Sequence, residues 1–99
     1  MQLHDYIERQ KAWSLKNFGE GMWTGGITKH IESELAEIRE APKDLEEWID
    51  VVLLALDGAW RTGATTDQIL AMMVAKQKKN FARPYQKPVD QDTPTFHVK

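Results

Sequence analysis

Residues 30–57 read HIESELAEIREAPKDLEEWIDVVLLALD, and this stretch decides the fold. Two amphipathic segments meet at a turn around Pro42–Asp44. The first carries Glu34-x-x-Glu37 and the second Glu47-x-x-Asp50. Residues three or four apart share one face of a helix, so each segment presents a pair of carboxylates in one direction. If the two helices pack antiparallel, four acids converge. Crowded carboxylates repel one another unless protons or cations neutralise them. Oxygen-rich sites of this kind suit hard divalent cations. A solvated, Glu-rich helix face would also carry one such pair. The second pair weighs against that reading, because Glu47 and Asp50 interrupt an otherwise largely apolar helix, where acids are rare unless paired or metal-bound.

Outward from this stretch, the pattern is helical throughout. Residues 3–18 predict a first helix, with Leu3, Tyr6, Ile7, Trp13 and Phe18 on its apolar side. GEGMWTGG, residues 19–26, holds four glycines and reads as loop. Ile27, Ile31, Leu35 and Ile38 form a core-facing stripe on a second helix, with Thr28 as candidate cap and Pro42 as its stop. Asp44 is placed to cap a third helix, residues 45–62, expected to be the longest and most buried. Its stripe is Leu45, Ile49, Val52, Leu56 and Trp60, and Gly63 ends it. Thr66 is the candidate cap of a last helix over residues 67–83, which brings Lys76, Asn80 and Arg83 onto one face before Pro84. Trp13, Phe18 and Trp23 read most simply as core, and one or two of them could instead stack on a base. The expected architecture is all-α, a bundle of about four helices over residues 1–83, followed by an extended or partly disordered tail over 84–99.

Composition narrows the function. A chain of 99 residues is one small domain whose core is limited, so oligomerisation would supplement it. A net charge of -2 creates no field for a nucleic-acid polymer. The absence of cysteine excludes thiolate catalysis and zinc–thiolate sites. MQLHDYIERQ does not resemble a secretion signal, and Val51–Leu56 is far shorter than the ~20 apolar residues of a membrane span. A cytoplasmic protein is expected. A di-iron bundle would require Glu-x-x-His, which is absent here, so magnesium is favoured, with manganese as the alternative. Magnesium held by carboxylates commonly takes substrate phosphates. Neither a Walker-type loop nor a G-x-G-x-x-G is present, so side chains and metal would hold the phosphate, and Lys76, Asn80 and Arg83 are suitable donors. His30, one turn before Glu34, is a candidate supporting group and a candidate substrate-binding residue.

Glu34-x-x-Glu37 followed by Glu47-x-x-Asp50 resembles the metal motif of the MazG-like all-α nucleoside triphosphate pyrophosphohydrolases. The resemblance extends through RQKAWSLKNFGEG, HIESELAEI, PKDLEEWIDVVLLALDGAWRTG and KQKKNFAR, about residues 9–83. It is closer still to a small phage and prophage group of dATP/dGTP pyrophosphohydrolases. That resemblance implies hydrolysis of a (deoxy)nucleoside triphosphate, with purine dNTPs as substrates, between the α and β phosphates. It implies Glu34, Glu37, Glu47 and Asp50 as magnesium ligands, with Glu34 and Glu37 in catalysis. Lys76, Asn80 and Arg83 would contact phosphates, and Trp13 and Ser14 would border the base or sugar. A homodimer or homotetramer in the cytoplasm, the host's if phage-encoded, is also implied. The connection between Glu37 and Glu47, nine residues, is shorter than in the wider superfamily. The competing reading is a non-catalytic helical interaction or dimerisation module anchored by Trp48 and Trp60.

Overall fold

The computed structural model describes residues 1–85, 87 and 89–95. It contains four α-helices: α1 (Leu3–Phe18), α2 (Thr24–Glu40), α3 (Leu45–Arg61) and α4 (Thr66–Ala82). Among the described residues, no helix is long and apolar enough to cross a membrane. The chain divides into two compact units, Met1–Ile69 and Leu70–Lys99, with the division inside α4. The tail expected to be extended falls partly on Gln86, Pro88 and residues 96–99, which lie outside the described residues.

Local chemistry sets most of the helix ends. The Asp44 side chain accepts a hydrogen bond from the Glu46 N–H and starts α3, satisfying a donor that the first turn leaves open. Gly19 closes α1 at φ 81°, with its N–H on the Leu15 carbonyl. Gly63 follows α3 at φ 98° and binds the Trp60 carbonyl. The start of α4 lies one residue earlier than expected. Thr65 caps it, its hydroxyl accepting from Gln68 N–H while the Gln68 side chain accepts from Thr65 N–H, a reciprocal capping box. Thr66 is instead a buried member of the helix.

The start of α2 departs further. Thr24, Gly25 and Gly26 are helical, not loop. Trp23 precedes them in the left-handed region, at φ 51°, with no side-chain cap. Thr28 is not a cap, because its hydroxyl donates to the carbonyls of Thr24 and Gly25. Glycine disfavours a helix only by about 1 kcal/mol, which tertiary context can override.

In the first unit α3 packs mainly on α2, across the four-residue connection 41–44, and more lightly on α1. The core is Ile7, Ile38, Trp60 and Ile69. Ile7 has no exposed surface, and burying such a side chain contributes roughly 1.5–3 kcal/mol. The Gln10 amide donates to the Leu53 carbonyl at 2.7 Å and ties α1 to α3. Two expectations are corrected. Of the apolar side of α1 only Ile7 is core, and Trp13, Phe18 and Trp23 are more than half exposed. Nor is α3 deeply buried: Trp60 is, but Leu45, Trp48, Ile49 and Val52 remain exposed. Within this unit only α1 and α2 cover α3, and they leave that side open.

A buried polar network fastens the loop after α1. Ser14, fully buried, donates to Asp57 Oδ2 at 2.6 Å. Arg61 pairs with Asp57 Oδ1 through Nε. Its Nη2 donates to Ser14 Oγ at 3.0 Å, and its Nη1 donates to the carbonyls of Gly19 and Gly21 at 2.9 and 2.8 Å. The guanidinium also lies 4.4 Å from the Trp60 ring centre. A charge taken out of water requires this many partners.

Candidate active site

The turn between α2 and α3 brings acids together as the spacing suggested, with one exception. Glu34, Glu37 and Glu47 each offer a carboxylate oxygen, and these oxygens lie within 4.8 Å of one another. Asp50 is not in that group. Three residues further along α3, nearly one helical turn, it borders the adjoining cavity with Glu34. Glu34 is only 9% exposed, on the same side of α2 as the buried Ile38. His30 Nε2 stands 3.3 Å from Glu34 Oε1.

The electrostatics of the group are those of an uncompensated cluster. The Glu47 carboxyl is pushed up to about 7. The largest cause is a hydrogen bond with the neighbouring Glu37 carboxyl, which needs a shared proton; burial comes next, then a like hydrogen bond with Glu34 and the charge repulsion of Glu37 and Glu34. Oε2 of Glu34 and Oε2 of Glu47 are buried and accept no hydrogen bond. Buried oxygens without a donor are costly, and a cation answers both the missing partners and the repulsion. The donor set, all carboxylate oxygen, fits a hard divalent ion.

A cavity of about 560 Å³ opens beside the acids, within the size range of small-molecule sites. Tyr6, Arg9, Trp13 and Phe18 of α1 line one side, and His30, Glu34, Asp50 and Asp57 lie among its other residues. Trp13 and Phe18 meet edge to face at 5.5 Å. Their exposure follows from this position at the cavity wall. Ser14, expected to border base or sugar, has no exposed surface with which to touch a ligand and belongs to the Arg61 network.

Lys76 and Asn80 lie on α4 in the second compact unit and are exposed; Arg83 follows the helix end and is half-buried. The Tyr85 hydroxyl lies 3.4 Å from Asn80 Oδ1. Sequence reading missed Arg9, Tyr6 and the Asp57–Arg61 pair. Arg9 and Tyr6 stand at helix positions where nothing local marks a cavity. Asp57 and Arg61 stand four apart in one sector of α3, and Asp57 flanks the apolar Leu53 and Leu54, which already marks it as partly buried.

Fold and site together define an all-α protein with a cation-ready carboxylate cluster beside an aromatic-walled cavity. The four-helix, all-α architecture is consistent with the MazG-like fold. The family model for dATP/dGTP pyrophosphohydrolases matches residues 6–99, and the chain belongs to that family. It is accordingly a hydrolase acting on acid anhydrides. No curated protein and no solved structure gives a match.

Proposed function

We propose that the chain hydrolyses dATP and dGTP between the α and β phosphates, releasing the deoxynucleoside monophosphate and pyrophosphate, with magnesium or manganese as cofactor. The observation that carries this reading is the group Glu34, Glu37 and Glu47, with two buried oxygens that accept no hydrogen bond. Those three residues would hold the cation, and Asp50, at the cavity wall, would extend the set. A divalent cation supplies Lewis acidity and offsets phosphate charge.

The residues of the chain do the rest. Glu37, assisted by Glu34, accepts the proton of the attacking water at a carboxylate oxygen. The oxygen of that water bonds the α-phosphorus as the bridging α–β bond breaks, and pyrophosphate leaves. His30 holds Glu34 in orientation through their 3.3 Å contact and faces the same cavity as the substrate. Arg9 brings a guanidinium to the cavity wall, suited to phosphate oxygens. Lys76, Asn80 and Arg83 are further phosphate-binding candidates on their spacing and chemistry. Trp13, at the cavity wall, is a candidate to border the base or sugar.

The exposed stripe Leu45, Trp48, Ile49 and Val52 on α3 supports self-association as a homodimer or homotetramer, since monomers rarely leave such a face in water. Cytoplasmic action suits a nucleotide substrate.

The test is a product assay: dATP and dGTP, with and without magnesium, resolved by ion-exchange chromatography. Monophosphate and pyrophosphate should appear only with metal. Release of orthophosphate in place of pyrophosphate would overturn the cleavage position, and equal rates in chelator would overturn the metal requirement.

A further inference from the structure

A second cavity, of about 410 Å³, adjoins the first. Phe18, His30, Leu54 and Asp57 line both, so a ligand with its charged end among the acids can extend its other end here. The wall peculiar to this lobe includes Trp23, Gly26 and Ile27. We infer that this lobe receives the purine ring of the nucleotide, with Trp23 and Phe18 as its aromatic walls and Gly26 as the residue that leaves room for the ring. The inference rests on the proposed function and names the base subsite of that same site.

Three observations carry it. The first is the state of Trp23. An indole in the left-handed region, at φ 51°, is an outlier, and such strain persists only where the surroundings over-determine it. They do so here. The indole N–H donates to the Glu20 carbonyl at 3.0 Å. Gly21 packs beside it at φ 118°, a backbone conformation that other residues rarely adopt, with its Cβ position 3.4 Å from Nε1. Arg61 clamps the carbonyls of Gly19 and Gly21 from beneath. All this holds in place a side chain that is 54% exposed, which core packing does not explain.

The second is Gly26. It is helical, where alanine would favour the helix, and a Cβ would meet no atom within 4 Å. Neither backbone nor packing asks for glycine. A side chain there would instead take up space at the wall of the lobe.

The third is the makeup of the lobe. Its charged pair, Asp57 and Arg61, is engaged with itself and with Ser14, Asn17 Nδ2 donates to the Trp13 carbonyl, and His30 Nε2 faces Glu34. Phe18, Trp23, Ile27 and Leu54 supply an apolar and aromatic wall beside them. Adenine and guanine differ in the donors and acceptors at their edges but share a bicyclic aromatic ring. A slot that accepts the ring by stacking suits a family whose two named substrates share the ring and not the edge.

The test compares Gly26→Leu and Gly26→Ala with the wild-type enzyme on dATP and dGTP, and follows quenching of tryptophan fluorescence by dAMP in chelator. Gly26→Leu should raise KM for both substrates by about tenfold or more, the loss expected for one stacking contact, with kcat much less affected. The rise in melting temperature on adding magnesium should match wild type. Gly26→Ala should raise KM by a smaller factor while melting no lower than wild type. A folded Gly26→Leu with KM within about twofold of wild type would overturn the inference, as would a loss confined to one purine. Should Gly26→Leu not fold, an unchanged KM in Gly26→Ala overturns it. Absence of pyrophosphate release by the wild-type protein would instead refute the proposed function. The dAMP titration then decides the base subsite by itself: weaker quenching in the Gly26 variants supports it, and equal quenching refutes it.

Discussion

Replacing Arg61 by leucine should strip the first unit of its main polar fastening. The side chain of Arg61 is 2% exposed and donates to Asp57, Ser14, Gly19 and Gly21. Leucine keeps much of the apolar bulk against Trp60 but leaves the largely buried Asp57 carboxylate with Ser14 as its remaining donor. Removing one partner of a buried pair costs about 3–5 kcal/mol, a large share of the ~5–15 kcal/mol that holds a domain together. For a domain of this size the melting temperature should fall by roughly 12–40 °C at fixed protein concentration. Circular dichroism with wild type, Arg61→Leu, Asp57→Asn and the double variant closes a cycle. Most of the single-variant loss comes from the charge left behind, so the double variant should cost less than the sum, by roughly 0.5–3 kcal/mol. An Arg61→Leu protein within about 1 kcal/mol of wild type, or a strictly additive cycle, would refute the account of the network as one coupled unit.

The acid cluster yields two further expectations. Without metal at pH 8, Glu47→Gln should melt no lower than wild type, because it relieves repulsion with Glu34 and Glu37, while pyrophosphate release is lost; a clear drop in stability would argue against a repulsive cluster. The folded Glu47 carboxyl titrates at about 7 against an ordinary 4.5, so the metal-free folded state binds the proton more tightly than the unfolded chain. That contribution is fully present below pH 4.5 and is lost as pH rises towards 7, and a cation must displace the same proton. Magnesium affinity measured by calorimetry should therefore weaken by about tenfold per pH unit below 7 and level off above it, and a flat profile from pH 6 to 8 would sink the shared-proton picture. On α3, Val52→Asp should shift the protein towards monomer in sedimentation analysis, since Val52 sits in the exposed apolar stripe; an unchanged species distribution would exclude that face as the contact.

What the sequence by itself determined is local. The limits of α1 and α3, the Asp44 cap and the tight turn at Pro42 follow from helical periodicity and capping chemistry, which act over a few residues. The pairing of Glu34 and Glu37 with Glu47 was legible because the turn between them is short enough to leave few alternatives. Other features needed the third dimension. Helical spacing grouped Asp50 with Glu47, but the way α1 and α2 lie against α3 turns Asp50 to the cavity and leaves Glu47 with the acids. Trp13, Phe18 and Trp23 are chemically suited to a core, and only the limited cover in the first unit makes them walls of the two cavities. The helical start at Thr24 overrides two glycines, which no propensity predicts. Ser14 and Arg61 are 47 residues apart, and nothing local relates them. Their contact arises because a buried guanidinium must satisfy its donors wherever the fold supplies acceptors, a demand the tertiary structure alone can meet.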